Sequence, residues 1–430
     1  LRTLAAIDVE VLFNERIRLD CDVLVFGDRQ QIALGKYNRV FVVGIGKASL
    51  KMGAALERLL GDRITRGILV TDRTQNVTVN SDVVFGSHPT PDEKSLIAGR
   101  KLMDVVSVAG PGDLIIFLIS GGGSAMVESP LIPDVTAADL AQLGRVLVTS
   151  KATIHEINVV RKHLSLIKGG RLGGLASEAA CVAIYVSDVN AGDLRAIASN
   201  PVLPDDATLD EFYEVIARHD LVRRLPQPYA EAIQSRSIPE LPHSNGDTVT
   251  YLLSDNSDAI AAAVGIAQTM GFETTVFNDL VEGPYREIAG ELISRFRSLV
   301  DDGAGKPLCA VSGGEVVCPV HASGTGGRNQ EFVLYSASNL ASHWVERPGP
   351  IAILSCGTDG IDGNSEAAGA VADDRTIEEA RSLGLEYIDF LDNNDSFHFF
   401  RRAGGLVVTG PTGNNVRDVR LMLSGADRLS

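Results

Sequence analysis

Four glycine-rich turns, each directly after a short apolar run that reads as a strand, constrain this chain more than any other feature. They are Gly44-Ile45-Gly46-Lys47, Ser120-Gly121-Gly122-Gly123-Ser124, Ser312-Gly313-Gly314-Glu315 and Gly357-Thr358-Asp359-Gly360. A fifth loop, Gly324-Thr325-Gly326-Gly327-Arg328, opens a helix-like stretch. Glycine at the carboxyl end of a strand lets backbone amides approach an anion closely, and a following helix adds the positive end of its dipole. Lys47 and Arg328 stand at or beside two helix starts, where a purely structural helix favours Asp or Glu. A polyanionic ligand is the expectation.

The strand-like runs at 39–44, 67–72, 113–120 and 181–188 are nearly continuous in apolar residues, as in strands covered on both faces. With helical patterns between them they predict an α/β fold, a parallel sheet with helices on both faces. Pro226, Pro228, Pro239 and Pro242 interrupt the pattern, and Ser244-Asn245-Gly246-Asp247 closes it with turn residues. The segment 221–247 is therefore read as an interdomain connection, with domains 1–235 and 236–430. A second series of strands is expected at 248–254, 273–278, 308–312, 315–320, 351–356 and 406–409. The span 308–320, turned by Gly313 and Gly314, reads as a hairpin that gives the second domain a mixed sheet.

A net charge of −16, from 39 basic and 55 acidic residues, argues against a nucleic-acid or anionic-membrane surface, which needs clustered Lys and Arg. An anionic substrate then requires a local positive patch. Cys21, Cys181, Cys309, Cys318 and Cys356 have no metal-ligand spacing and read as buried reduced thiols, which favours a cytoplasmic protein. Apolar runs such as 114–119 are too short to cross a bilayer. A monomer or small homo-oligomer acting on small molecules is expected.

Gly44 and Gly46 match the first two glycines of a dinucleotide fingerprint, but Ser49 replaces the third; Asp72 ends the next strand, where such a site would want an acid. A phosphate-binding Walker loop fails because Phe41 stands where its first glycine belongs. Ser120 to Ser124 lacks the last glycine of a nucleophile elbow and reads as a nest of amides for phosphate or carboxylate. Asp188 closes the strand at 181–188, where open α/β sheets bind ligands, and can hold magnesium or accept a hydroxyl proton. Asp193 follows it, and a turn or helix cap explains it as well as a metal does. Asp359 and Asp362, with Glu315, offer either magnesium ligands or simple turn caps. Arg161, Lys162 and His163, with Lys168, follow Asn158 on a helix-like stretch and read as a charged solvated face, from which Arg161 can add to an anion patch. His88, in Ser87-His88-Pro89, reads as a structural histidine in a rigid turn.

Taken together, these segments resemble the class II glycerate kinases, the glycerate 2-kinase family with a C-terminal MOFRL domain. The resemblance runs from Val40 to Gly413, and its most specific stretches are Gly326-Gly327-Arg328-Asn329-Gln330-Glu331, Gly357 to Gly363 and Asn394-Asp395-Ser396-Phe397-His398. It implies a Rossmann-like first domain, an active site in the cleft between two α/β domains, and ATP-dependent phosphorylation of the D-glycerate 2-hydroxyl with Mg2+. It also implies Lys47, Asp188 and Arg328 as catalytic residues. Substrate or nucleotide contacts fall to Gly44, Gly46, Ser120, Gly121, Gly122, Gly123, Ser124, Arg161, Gly313, Gly314, Glu315, Gly326 and Gly327, and metal contacts to Asp188, Asp193, Asp359 and Asp362. Ser199-Asn200-Pro201-Val202 departs from the family's Ser-Gly-Pro-Thr, which bears on the shape of that loop. The alternative is an NAD(P)H-dependent hydroxypyruvate reductase, with Gly44 and Gly46 under the pyrophosphate and Asp72 on the ribose.

Overall fold

The computed structural model of the chain describes every residue except 29, 190–192, 243–246, 278–280, 304–305, 345–348 and 426–430. Contacts divide it into two compact units, Val9–Leu253 and a second made of Leu1–Asp8 with Ser254–Ser430. The turn expected at Ser244 to Gly246 and the strand end at Asn278 lie outside the described residues.

In the Val9–Leu253 unit, an antiparallel meander of β1 (Ile17–Asp20), β2 (Val23–Phe26) and β3 (Gln30–Ala33) precedes the main sheet. That sheet contains β4 (Arg39–Ile45), β5 (Ile64–Thr71), β6 (Asp82–Phe85), β7 (Asp113–Ser120), β8 (Ala180–Val186) and β9 (Thr248–Ser254). Its order is β6-β5-β4-β7-β8-β9, and the four pairings among β6, β5, β4, β7 and β8 are all parallel. Every residue of β7 is buried, which explains its uninterrupted apolar run. After β4 the chain builds outward through β5 and β6, then returns to the other side of β4 for β7. The order thus reverses between β4 and β7, and in open α/β sheets the crevice beyond that reversal is where ligands bind.

Two sequence expectations change here. The strand at 248–254 was assigned to the second series, yet it is hydrogen-bonded to β8 in the first sheet. The proline-rich stretch is also structured: Pro226 precedes a helix, Gln227–Gln234, with Pro228 in its first turn where proline is tolerated. Tyr229, Ile233, Ile238 and Leu241 are buried in the same apolar cluster as Phe212 and Leu147. This much apolar burial makes most of 221–247 part of the first unit's core rather than a plain linker.

In the other unit, β10 (Glu273–Val276), β11 (Val281–Pro284), β12 (Leu308–Val317), β13 (Ile351–Gly357), β14 (Gly369–Asp373), β15 (Leu406–Val407) and β16 (Asp418–Ser424) form the mixed sheet. β10 and β11 run parallel to successive halves of β12, whereas β16 is antiparallel to both β12 and β13. The expected hairpin at 308–320 does not form. β12 continues straight through Gly313 and Gly314, because a side chain at 313 would strike Asn256, its Cβ lying 1.7 Å from Oδ1. Gly314, at φ +95°, donates its N–H to the same Asn256 oxygen at 3.1 Å. Ile7 of the leading segment is buried in this unit, where its carbonyl accepts from Asn414 Nδ2 at 2.6 Å.

The cysteines are all free, but only Cys181 and Cys309 are buried; Cys318 and Cys356 are partly buried and Cys21 is exposed, against the expectation that all five are buried. Among the described residues no helix is long and apolar enough to cross a membrane.

Candidate functional site

At the reversal between β4 and β7 the first two glycine turns are locked together. Gly46 has φ +115°, and a Cβ there would lie 2.4 Å from both the carbonyl and the hydroxyl oxygen of Ser120. Glycine is required at this position by both the dihedral and the approach. Lys47 N–H donates to the Gly121 carbonyl at 3.0 Å, and Ala48 N–H donates to Ser120 Oγ at 3.0 Å. The following helix, Ser49–Leu60, begins after Ala48, so Lys47 stands in the loop just ahead of it. Gly44 serves packing: a Cβ there would meet Leu69 Cδ2 at 2.6 Å and Ser49 Cβ at 3.1 Å. Ser49 itself donates to the Val70 carbonyl at 2.7 Å, so the position of the missing third glycine is filled by a hydrogen-bonded residue.

The Lys47 side chain lies near three other groups of interest. A Cβ built on Gly122 would sit 3.4 Å from Lys47 Cγ and 3.3 Å from His88 Cδ2, so His88 belongs to this site. Burial pushes the Asp72 carboxyl up, but Arg73, Lys47 and His88 more than offset it and hold it below the usual range. Asp72 is bonded to Arg73 at 2.7 Å. Gly122, at φ +83°, precedes the short helix Gly123–Met126, and Ser124 Oγ lies 2.6 Å from Ser199 Oγ.

A cavity of about 190 Å³ opens beside this loop, lined by His88, Gly122, Ser124, Glu128, Arg161 and Lys168 among others. Lys168 is fully buried and ion-paired with Glu128, whose other oxygen accepts from Ser165 Oγ at 2.5 Å and Ser129 N at 2.9 Å. Burial pulls the Lys168 ammonium and the Arg161 guanidinium down, and Glu128 opposes that in both. The sequence drew attention to Arg161 and Lys168 but not to Glu128, because one acid in an apolar stretch carries no pattern. Asp188 lies two residues past β8, the neighbour of β7, and is partly buried; Asp193 is exposed.

The departure at Asn200 is accommodated. Asn200 adopts φ +54°, the left-handed conformation that glycine takes most readily and Asn next. Its side chain donates to Leu203 O at 2.8 Å and Asp205 Oδ2 at 2.7 Å, and accepts from Leu203 N at 3.0 Å. Val202, in place of the hydroxyl, is buried in the core.

Arg328 lies in the other unit, at the first turn of the helix Arg328–His343. Its Nε and Nη2 bind Asp418 at 2.7 and 2.9 Å, and its Nη1 meets Glu315 at 2.7 Å. Burial draws the guanidinium down, but Asp418 and Glu315 hold its proton well above the ordinary value. Two carboxylates of this chain therefore already meet the cation that the sequence reserved for an anion.

The helix start is likewise filled from within: Asp362 accepts from the backbone N–H and side-chain amide of both Asn329 and Gln330, at 2.9 to 3.2 Å. A carboxylate serving four donors and buried at 1% exposure is a helix cap, which counts against Asp362 as a metal ligand. Thr325 N and Gly326 N are bound to Asp395 and Asn364, so the loop before Gly327 also spends amides on its own chain. Gly314 N is taken by Asn256 and the Gly313 carbonyl by Arg420, leaving this pair structural. Asp359 Oδ1 accepts from Ile361 N at 3.2 Å. Asp418 and Arg420, both buried on β16, were missed by the sequence reading, since two charges in a short run hide a strand.

Residues 1–234 match the model described as a domain of unknown function (DUF4147), and residues 308–418 match the MOFRL family. The D-glycerate 2-kinase of Thermotoga maritima is 33% identical over 92% of this chain and 94% of its own. This chain belongs to the glycerate 2-kinase family. A crystal structure of glycerate kinase from Thermotoga maritima has a TM-score of 0.82 at 30% identity, covering 98% of this chain and 96% of that one. A protein of Agrobacterium vitis with a provisional hydroxypyruvate reductase name is 36% identical over 90% of this chain and 100% of its own. The mixed sheet and the parallel sheet are thus those of a glycerate kinase fold, as the family resemblance implied.

Proposed function

We propose that this protein transfers the γ-phosphoryl group of ATP to the 2-hydroxyl of D-glycerate, giving 2-phosphoglycerate and ADP. The observation that carries the proposal is the interlocked pair of glycine turns at the β4/β7 reversal, with Lys47 between them, in a chain of the glycerate 2-kinase family. Phosphoryl transfer asks a protein mainly to position its reactants and neutralise spreading charge. Lys47 supplies a compact cation for the transferred group, and Arg328 is the second cation that the family resemblance assigns to catalysis. Asp188 orients the acceptor hydroxyl and takes its proton as the new O–P bond forms and the bond to the ADP oxygen breaks.

Among the described residues no group of three or more His, Cys, Asp or Glu side chains is placed to hold a metal ion. Magnesium usually keeps its waters and arrives on nucleotide phosphates with one or two carboxylates, for which Asp188 and Asp359 are the candidates. When bound, it would neutralise phosphate charge.

The reductase reading lacks the third fingerprint glycine, and Ser49 is hydrogen-bonded in its place. The deciding experiment incubates the protein with D-glycerate, ATP and magnesium, and separately with hydroxypyruvate and NADH or NADPH. Phosphorus NMR should show 2-phosphoglycerate forming with ADP. Oxidation of the reduced nicotinamide without ATP turnover would reverse the assignment.

A further inference from the structure

The cavity beside Gly122 combines size, charge and position in a way the kinase reading leaves unexplained. Its volume of about 190 Å³ lies below the roughly 300–1,000 Å³ of sites that take drug-sized ligands and suits a small acid. Its ionised lining comprises Glu128, which is paired with Lys168, and Arg161. Among the described residues the Arg161 guanidinium has no hydrogen-bond or ion-pair partner; Glu128 attracts it, and it in turn repels the Lys168 ammonium. One negative and two positive groups leave the lining one positive charge in excess, which matches a single carboxylate.

The donors around the cavity suit that group. Lys168 Nζ has three N–H donors and spends them toward Glu128 and, at 3.5 Å, the Val127 carbonyl, which leaves one available. The guanidinium offers a planar fork that binds carboxylate oxygens bidentately. Ser124 adds a hydroxyl, already 2.6 Å from Ser199 Oγ, and Ser199 in turn lies 3.4 Å from Asn158 on the helix that carries Arg161.

We propose that Arg161, Lys168 and Ser124 form the seat for the carboxylate of the acceptor, a short 2-hydroxy acid. The inference rests on the kinase reading above and adds a cause for its regiochemistry. Gly122 lines the cavity, and a Cβ built on it would lie 3.4 Å from Lys47 Cγ, so the Lys47 stem runs close by. A carboxylate held by Arg161 therefore presents the hydroxyl on the adjacent carbon toward Lys47, and the terminal hydroxyl lies further from the transferred phosphoryl group. The 2-position reacts because it is next to the anchored end.

The test has a binding arm and a turnover arm, both on the full chain. Calorimetric titration of the wild type without ATP should show heat with D-glycerate and none with glycerol, which lacks the carboxylate. Arg161→Gln should weaken D-glycerate binding and raise its KM by about 10- to 100-fold, the scale of a charged hydrogen bond, with the KM for ATP within about twofold. Ser124→Ala should move the same constants less and in the same direction. Lys168→Met strands Glu128 in the core and is expected to fold poorly, so it is not used.

Unchanged D-glycerate affinity in a folded Arg161→Gln variant overturns the seat, as does a rise confined to the KM for ATP. If the wild type shows no glycerate-dependent ATP turnover, the kinase reading fails by itself. The titration then still decides the seat: loss of D-glycerate binding in Arg161→Gln supports it, and absence of binding in the wild type removes it.

Discussion

Arg328 grips Asp418 with two parallel hydrogen bonds, Nε to Oδ2 at 2.7 Å and Nη2 to Oδ1 at 2.9 Å, and Asp418 is completely buried. The carboxylate keeps a third donor, Arg420 Nη2, at 3.3 Å. Removing one partner of a buried pair costs more than the pair contributes, because the other charge is stranded.

Arg328→Met is therefore expected to destabilise the chain by about 2–4 kcal/mol, somewhat below the usual loss for a broken buried pair because Arg420 remains. Asp418→Asn placed in the same variant should restore part of that. Urea unfolding of the two variants checks this, and an unchanged midpoint in Arg328→Met would show that Asp418 does not need its partner. Turnover by Arg328→Met must be read against its folded fraction.

Lys47 should behave in the opposite way. It stands in a loop ahead of a helix, and its backbone, through N–H to Gly121 and carbonyl from Gln75 Nε2 at 2.7 Å, is bound regardless of the side chain. Lys47→Met is expected to leave thermal stability without ligand nearly unchanged while turnover falls by about two to four orders of magnitude. Single-turnover kinetics at saturating ATP and D-glycerate give the answer, and near-normal rates would take Lys47 out of the mechanism.

A pH effect is expected from Glu331. Burial pushes its carboxyl up to about 7, with Ser396, Tyr285 and Arg286 opposing only in part. Tyr285 Oη reaches its Oε2 at 3.4 Å. An unfolded Glu titrates near ~4.3, so between these values the folded chain holds the proton and the unfolded chain does not. The stabilising contribution of the protonated form is complete below the unfolded value and is lost as pH rises through the folded one. Glu331→Gln should therefore gain about 1–3 kcal/mol on wild type between about pH 5 and pH 8. Denaturant midpoints at those two values measure it, and parallel shifts in both proteins would refute it.

Asn200 offers a test of the left-handed loop. Asn200→Gly keeps the backbone conformation but loses three side-chain hydrogen bonds, at a cost of about 1–3 kcal/mol. Asn200→Ala loses the same bonds and adds a left-handed strain of about 1 kcal/mol. The glycine variant should melt above the alanine one, although glycine has the more flexible unfolded chain. The reverse order would place the loop in a different conformation.

The parallel sheet was legible because β4, β5, β7 and β8 carry near-continuous apolar runs, and the interlocked turns because glycine marks the exits of β4 and β7. β16 was not legible: Asp418 and Arg420 interrupt its pattern, and their burial is made tolerable by partners distant in sequence, Arg328 for Asp418 and the Gly313 carbonyl for Arg420. Gly313 and Gly314 misled for the same reason. A glycine pair reads as a turn until Asn256, far away in sequence, is seen to need the space. At Arg328 the chain itself supplies the opposing anions, Asp362 on the N–H groups of the helix start and Asp418 on the guanidinium.

The leading segment Leu1–Asp8 belongs with Ser254–Ser430, where Ile7 accepts from Asn414. A gene fragment cut cleanly at residue 254 would thus encode an incomplete body, with one buried amide deprived of its acceptor and an apolar slot uncovered. Supplying residues 1–8 as a separate peptide should restore what the cut removes. The C-terminal unit is portable between proteins only as two pieces of sequence, which favours its inheritance as part of a whole chain over shuffling as a module.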